Sequence, residues 1–201
     1  MGTWIRYIIL FLALTQGYQL PAQTTGLLII DIQDFYFPGG KAQLVNPEAA
    51  GMNAGLVLNK FREEGLPVYH VRHNAEPGGK IHDYVKPVKG EAVFSKDDVN
   101  AFLGTGLLER LRADSVVQLV ICGMQTHMCV EAAVRAAHDY GFRCILVSDA
   151  CATRALQYKD LIIPAEHVHF STIATLEGIY AEISETSDLL RDFNNLIYHE
   201  E

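Results

Sequence analysis

Short unbroken apolar runs alternate along the chain with stretches whose apolar residues recur at helical spacing. The runs Gly26–Asp31 (GLLIID), Leu66–Arg72 (LPVYHVR), Glu91–Lys96 (EAVFSK), Ser115–Gly123 (SVVQLVICG), Phe142–Ala150 (FRCILVSDA) and Ile179–Ser184 (IYAEIS) read as strands. Between them, Ala49, Met52 and Leu56 mark a helix from about Pro47 to Glu64, stopped by Gly65. Val130, Ala133, Val134 and Ala137 trace one face of a second helix, which Gly141 ends. A third is expected from about Pro164 to Glu177 and a terminal one from about Glu185. The stretch His73–Gly79 is polar and rich in Gly and Pro, hence a loop.

Continuous apolar strands separated by helices predict an α/β fold: a doubly wound, mainly parallel six-stranded sheet with helices on both faces. Right-handed crossovers then gather all strand C-termini on one edge, and ligands bind outside that edge where the strand order reverses. No internal repeat or linker breaks the pattern, so residues 23–201 are expected to form a single domain.

The first 22 residues stand apart. MGTWIR carries one arginine, YIILFLAL is a short apolar run, and TQGYQLPAQ is a polar exit with small residues. This is the layout of a secretory signal peptide, and it predicts export to a periplasmic or extracellular compartment after removal of residues 1–22. The formal charge of −8 and the lack of long basic runs argue against nucleic acid and anionic membranes as partners. The four cysteines, Cys122, Cys129, Cys144 and Cys151, form neither a CxxC nor a zinc pattern. Taken singly, each is best explained as apolar core filler.

Three reactive side chains nevertheless fall on the same predicted rim. Asp31 ends the first strand, Lys96 ends the third, and Cys129 lies just past the fourth, in the first turn of the next helix. Any one of them has a bland explanation. Asp31 could be a cap, and Lys96 a solvated surface charge with Lys80, Lys86 and Lys89 as neighbours. Together they make a nucleophile with its proton partners. A helix N-terminus and an ammonium favour the thiolate, and a carboxylate can take the thiol proton and return it to a leaving amine. Gly123 lets the chain bend before the nucleophile, as in a strand–turn–helix elbow, where backbone N–H groups can face a tetrahedral oxyanion.

Three blocks carry a family resemblance: LLIIDIQDFYF, VFSKDDVNAF and VICGMQTHMCVEAAVRAAHDYGFRCILVSDACATR. The chain resembles the isochorismatase-like cysteine hydrolases, which include nicotinamidases and N-carbamoylsarcosine amidases, over most of residues 26–183. The resemblance implies a catalytic triad of Asp31, Lys96 and Cys129, and hydrolysis of an amide-like C–N bond through a thioester. It further implies a non-proline cis peptide at Met124–Gln125 and an oxyanion hole from the backbone N–H groups of Gln125 and Cys129.

Departures from the family narrow the reading. Metal-dependent nicotinamidases carry a D-x-H pair and a further histidine after the first strand. Here FPGGKAQLVNPEAAG offers neither Asp nor His. His70 and His73 would face opposite sides of a strand, so no metal or other cofactor is expected. Gln33, Phe37, His73 and His127 are candidate borders of the substrate pocket, with core packing the stronger alternative for Phe37. Retention of Cys129 disfavours vinyl-ether cleavage, which the family members that perform it achieve without the cysteine. The expected partner is a small-molecule substrate, and the expected assembly a homo-oligomer. The rival reading from another class is a non-catalytic small-molecule-binding member of the same fold. Thiol redox chemistry lacks the CxxC it would need.

Overall fold

The computed structural model describes residues 24–198, so the proposed signal peptide lies outside the described residues. Six strands form one sheet: β1 Thr24–Ile30, β2 Val68–His73, β3 Ala92–Lys96, β4 Val116–Met124, β5 Arg143–Ala152 and, after a short hairpin of β6 Leu156–Tyr158 and β7 Leu161–Ile163, β8 Glu182–Ser184. All neighbours in the sheet are parallel, in the order β3-β2-β1-β4-β5-β8. The chain runs outward from β1 through β2 to β3, then crosses back to β4 on the other side of β1. The order therefore reverses between β1 and β4, where open sheets of this kind bind ligands.

Helices cover both faces. On one side α1 Pro47–Glu63, α5 Thr186–Arg191 and α6 Phe193–Ile197 place Val57, Phe61, Leu189, Phe193 and Ile197 against Leu27, Ile29, Val120 and Ile145. On the other, α2 Leu107–Ala113, α3 Glu131–Asp139 and α4 Ala165–Leu176 pack Leu107, Leu111, Ala133, Val134, Ala137 and Leu176 against Leu28, Ile30, Ile121 and Leu146. Successive residues of β1 thus enter opposite cores, which is why its sequence is apolar throughout.

The helix α1 is where the sequence predicts it, but on a different face. Ala49, Met52 and Leu56 point outward, Met52 and Leu56 about half exposed, while Ala50, Gly51, Ala54, Val57, Leu58 and Phe61 are buried. The cause is the partner surface. A Cβ on Gly51 would lie 2.8 Å from the Tyr84 ring and 3.2 Å from that of Phe37, so the inward face must be small where these rings press on it. The helix α2 and the hairpin β6–β7 are additions to the sequence expectation, and the sixth strand is shorter, with Ile179 exposed ahead of it.

Two features hold the strands beside the predicted rim in register. Gly123 has φ +143°, and a Cβ there would sit 2.0 Å from the Ile30 carbonyl oxygen, so β1 and β4 can approach only with glycine at this position. The edge strand β3 is tied down at its start by Glu91. Its carboxylate accepts from Arg62 at 2.7 and 2.9 Å and from the Val88 N–H, and it bonds the buried His70 ring at 2.9 Å. Burial opposes its ionisation, but Arg62, Val88 and His70 together hold the Glu91 carboxyl down at about 2.

Candidate active site

The three predicted residues converge at the switch point. Asp31 leaves β1 with left-handed backbone (φ 49°), a conformation that Asp tolerates better than most residues and that turns the chain off the strand. Lys96 is the last residue of β3. Its ammonium lies 2.7 Å from Asp31 Oδ2 and donates to Cys129 Sγ at 3.2 Å and to the Asp98 carbonyl at 3.1 Å. Cys129 stands in a wide π-type helical turn, Thr126–Val130, that links β4 to α3. The competing lysines are elsewhere: Lys80 pairs with Asp83 in solvent, and Lys86 and Lys89 are exposed.

Burial is extreme. Asp31 is fully buried, Lys96 is 2% exposed and Cys129 6%. A lone charge could not be held there, whereas a carboxylate, an ammonium and a neutral thiol sum to zero. Burial pushes the Asp31 carboxyl above its ordinary value against the pull of Lys96. Burial first, and then the charge of Asp31, push the Cys129 thiol up to about 12 despite Lys96. Lys96 pulls the thiol toward the thiolate, as the sequence suggests, but burial and the Asp31 charge outweigh that pull at rest. In the resting site the sulfur therefore keeps its proton. The three groups exchange that proton as one coupled unit.

The Met124–Gln125 peptide is cis. Gln125, between strand and turn, donates from its side chain to the Tyr36 hydroxyl (3.4 Å) and accepts from Arg154 Nε (3.3 Å). Arg154, at the exposed end of the β5 segment, thus brings a guanidinium to the rim beside the nucleophile turn.

The pocket candidates fare differently. Gln33 is fully buried and uses its amide on backbone: it accepts from the His73 N–H (2.8 Å) and donates to the carbonyls of His73 (2.9 Å) and Gly79 (2.7 Å). It braces the loop after β2 instead of facing a substrate. Phe37 is a core residue stacked on His82, ring centroids 3.6 Å apart. His127 is half-buried and bonded through Nδ1 to the Thr153 hydroxyl, so it serves to hold the turn. His73 pairs in register with Lys96, lies close enough to Asp31 to act on its charge, and buries Nδ1 without a protein partner. Thr126, Thr153, Arg154 and His169 were not singled out by sequence, although the first three lie within the third motif block. Their partners come from distant segments, which periodicity does not reveal.

Among the described residues no group of His, Cys, Asp or Glu is arranged to hold a metal ion. The largest cavity described, about 660 Å³, opens at the opposite, N-terminal edge of the sheet beside Phe142 and Tyr180, remote from the triad. The position of the chemistry is therefore set by side chains and topology, not by cavity size.

Residues 25–178 match the Isochorismatase domain family. The chain is 45% identical to the uncharacterized isochorismatase family protein YddQ of Bacillus subtilis, over 84% of this chain and 99% of that protein. It is 26% identical to the maleamate amidohydrolase of Pseudomonas putida, over 85% and 87% of the two chains. The crystal structure of an isochorismatase from Pseudomonas putida KT2440 superposes with a TM-score of 0.78 at 36% identity, covering 84% of this chain and 92% of that one. With the sheet order, the buried Asp–Lys–Cys cluster and these likenesses in agreement, the chain belongs to the isochorismatase family of hydrolases.

Proposed function

We propose that this chain is a cysteine amidohydrolase that cleaves a small non-peptide amide through a thioester on Cys129. The observation that carries the reading is the meeting of Asp31, Lys96 and Cys129 within hydrogen-bonding reach at the strand switch point. The amidohydrolase among the relatives supports the bond type.

The steps follow from the charges. Sγ attacks the amide carbonyl as its proton passes to Asp31, forming the C–S bond. Lys96 remains protonated and faces the negative charge on whichever group carries it, carboxylate before transfer and thiolate after. The backbone N–H groups of Gln125 and Cys129 are assigned to the carbonyl oxygen as it becomes an oxyanion. The tetrahedral adduct collapses, the C–N bond breaks, and Asp31 returns its proton to the departing nitrogen. Water then loses a proton to Asp31 and attacks the thioester. The C–S bond breaks, and the proton returns to sulfur. Arg154 at the rim favours substrates that carry a carboxylate near the amide.

Ammonia release from a panel of primary amides and N-carbamoyl compounds tests the reading. Turnover is expected, fastest for carboxylate-bearing amides such as maleamate. Saturable binding of these compounds with no ammonia released would instead support the non-catalytic binding protein.

A further inference from the structure

Gln125 stands directly before the nucleophile turn, and its side-chain amide bridges two groups from other segments. Nε2 donates to the Tyr36 hydroxyl at 3.4 Å, and Oε1 accepts from Arg154 Nε at 3.3 Å. Tyr36 ends the short helical turn Asp34–Tyr36 that follows the catalytic Asp31, and Arg154 lies on the chain leaving β5. The amide thereby holds a phenol on one side of itself and a guanidinium on the other. Tyr36 is only 6% exposed, and Asp31 and Cys129 are near enough to act on its hydroxyl. Burial first, and with it the negative charges that Asp31 and Cys129 can carry, raise the phenol above its ordinary range against the pull of Gln125 and Arg154. The hydroxyl therefore keeps its proton.

That proton is unspent. The Tyr36 oxygen accepts from Gln125, and no described residue accepts the hydroxyl's own hydrogen. A nearly buried O–H without an acceptor is costly, and phenylalanine would fill the same space without the cost. Arg154 likewise spends Nε on Gln125 and forms no ion pair among the described residues, so its two Nη groups are open. With the triad summing to zero, the guanidinium stands beside it as a positive charge without a counter-ion. A carboxylate answers both needs: its planar O–C–O fork, close in width to the Gln125 amide, takes the phenol proton on one oxygen and an Nη proton on the other. We infer that Tyr36 and Arg154, spaced by Gln125, form a carboxylate subsite in which the Tyr36 hydroxyl donates to the substrate. This rests on the cysteine-hydrolase reading and deepens it. The substrate class becomes amides whose acyl portion ends in a carboxylate a few bonds from the carbonyl that Cys129 attacks, and Tyr36 becomes a specificity-determining residue.

Protection of the intact protein against acylation of Cys129 by p-nitrophenyl acetate tests the subsite whether or not the protecting compound is turned over. Malonamate, succinamate and glutaramate are each compared with the amide that carries a methyl group in place of the carboxylate: propanamide, butanamide and pentanamide. Because hydrogen bonds to a charged group are the strong ones, the best-fitting carboxylate is expected to half-protect the wild type at a concentration at least ~10-fold below that of its methyl counterpart. Tyr36→Phe is expected to shrink that ratio at least ~5-fold, and Arg154→Gln to do the same. The ratio is taken within each variant, so a change in acylation itself cancels, and a merely structural tyrosine would leave it where it was. A wild-type ratio near one at all three lengths, or a full ratio retained in Tyr36→Phe, would overturn the subsite. Wild-type Cys129 that p-nitrophenyl acetate never acylates would instead overturn the nucleophile reading beneath it.

Discussion

Replacing Cys129 with alanine is expected to lower kcat on the best amide by at least ~10⁴-fold, with a stability change of only about 1 kcal/mol. The asymmetry follows from the site. The sulfur is the atom that must bond to the substrate carbon, and no neighbour can take its place: Cys122, Cys144 and Cys151 are buried elsewhere, and Lys96 is held by Asp31, Cys129 and Asp98. The fold, by contrast, loses one small, nearly buried group and keeps the Asp31–Lys96 pair. Assaying ammonia release beside the melting temperature of the same preparation checks both halves. An alanine variant with turnover near wild type would remove the thioester from the mechanism.

The second large effect is a split in two directions. Asp31→Asn is expected to reduce kcat by about 10²–10⁴-fold, because an amide side chain can neither take the thiol proton nor deliver one to the leaving nitrogen. The same change is expected to accelerate alkylation of Cys129 by iodoacetamide at pH 7–8. The sign comes from electrostatics: after burial, the negative charge of Asp31 is the chief cause that raises the thiol to about 12, while Lys96 lowers it. Removing the carboxylate leaves the ammonium alone beside sulfur, lowers the thiol pKa and enlarges the thiolate fraction at a given pH. The variant is expected to be less stable by roughly 3–5 kcal/mol, since a buried ammonium loses its counter-charge. Turnover and labelling that fell together would mean that Asp31 only shapes the site.

The parts of this architecture that local patterning specifies are the parts legible from sequence. The apolar strands and the face of α3 are such cases: Val130, Ala133, Val134 and Ala137 are all fully buried. Strand ends could then be read as a rim, and Asp31, Lys96 and Cys129 as neighbours, because parallel topology puts all C-termini on one edge. What failed depended on contacts between distant segments. The inward face of α1 is chosen by the rings of Phe37 and Tyr84, which require glycine at position 51, so Met52 and Leu56 lie outward while Val57, Leu58 and Phe61 are buried. Gln33 is expected from sequence as a border of the substrate pocket, but the backbone of His73 and Gly79 claims its amide. Charges in a sequence carry no burial, and burial is the largest influence on Cys129.

The topology also explains how these three residues meet. The strand order reverses between β1 and β4, beside a glycine that admits close approach of the two strands. The carboxylate enters from β1, the thiol from the turn after β4, and the ammonium arrives from β3, the far edge strand, anchored at its other end by Glu91.

Mass spectrometry of peptides from a rapid-quench reaction with the best amide tests the central claim most directly. The account predicts a transient mass on the Cys129 peptide equal to the acyl portion of the substrate, formed at least as fast as turnover and absent from Cys122, Cys144 and Cys151. Steady hydrolysis with the Cys129 peptide unmodified at every quench time, under conditions that preserve a thioester standard, would contradict it.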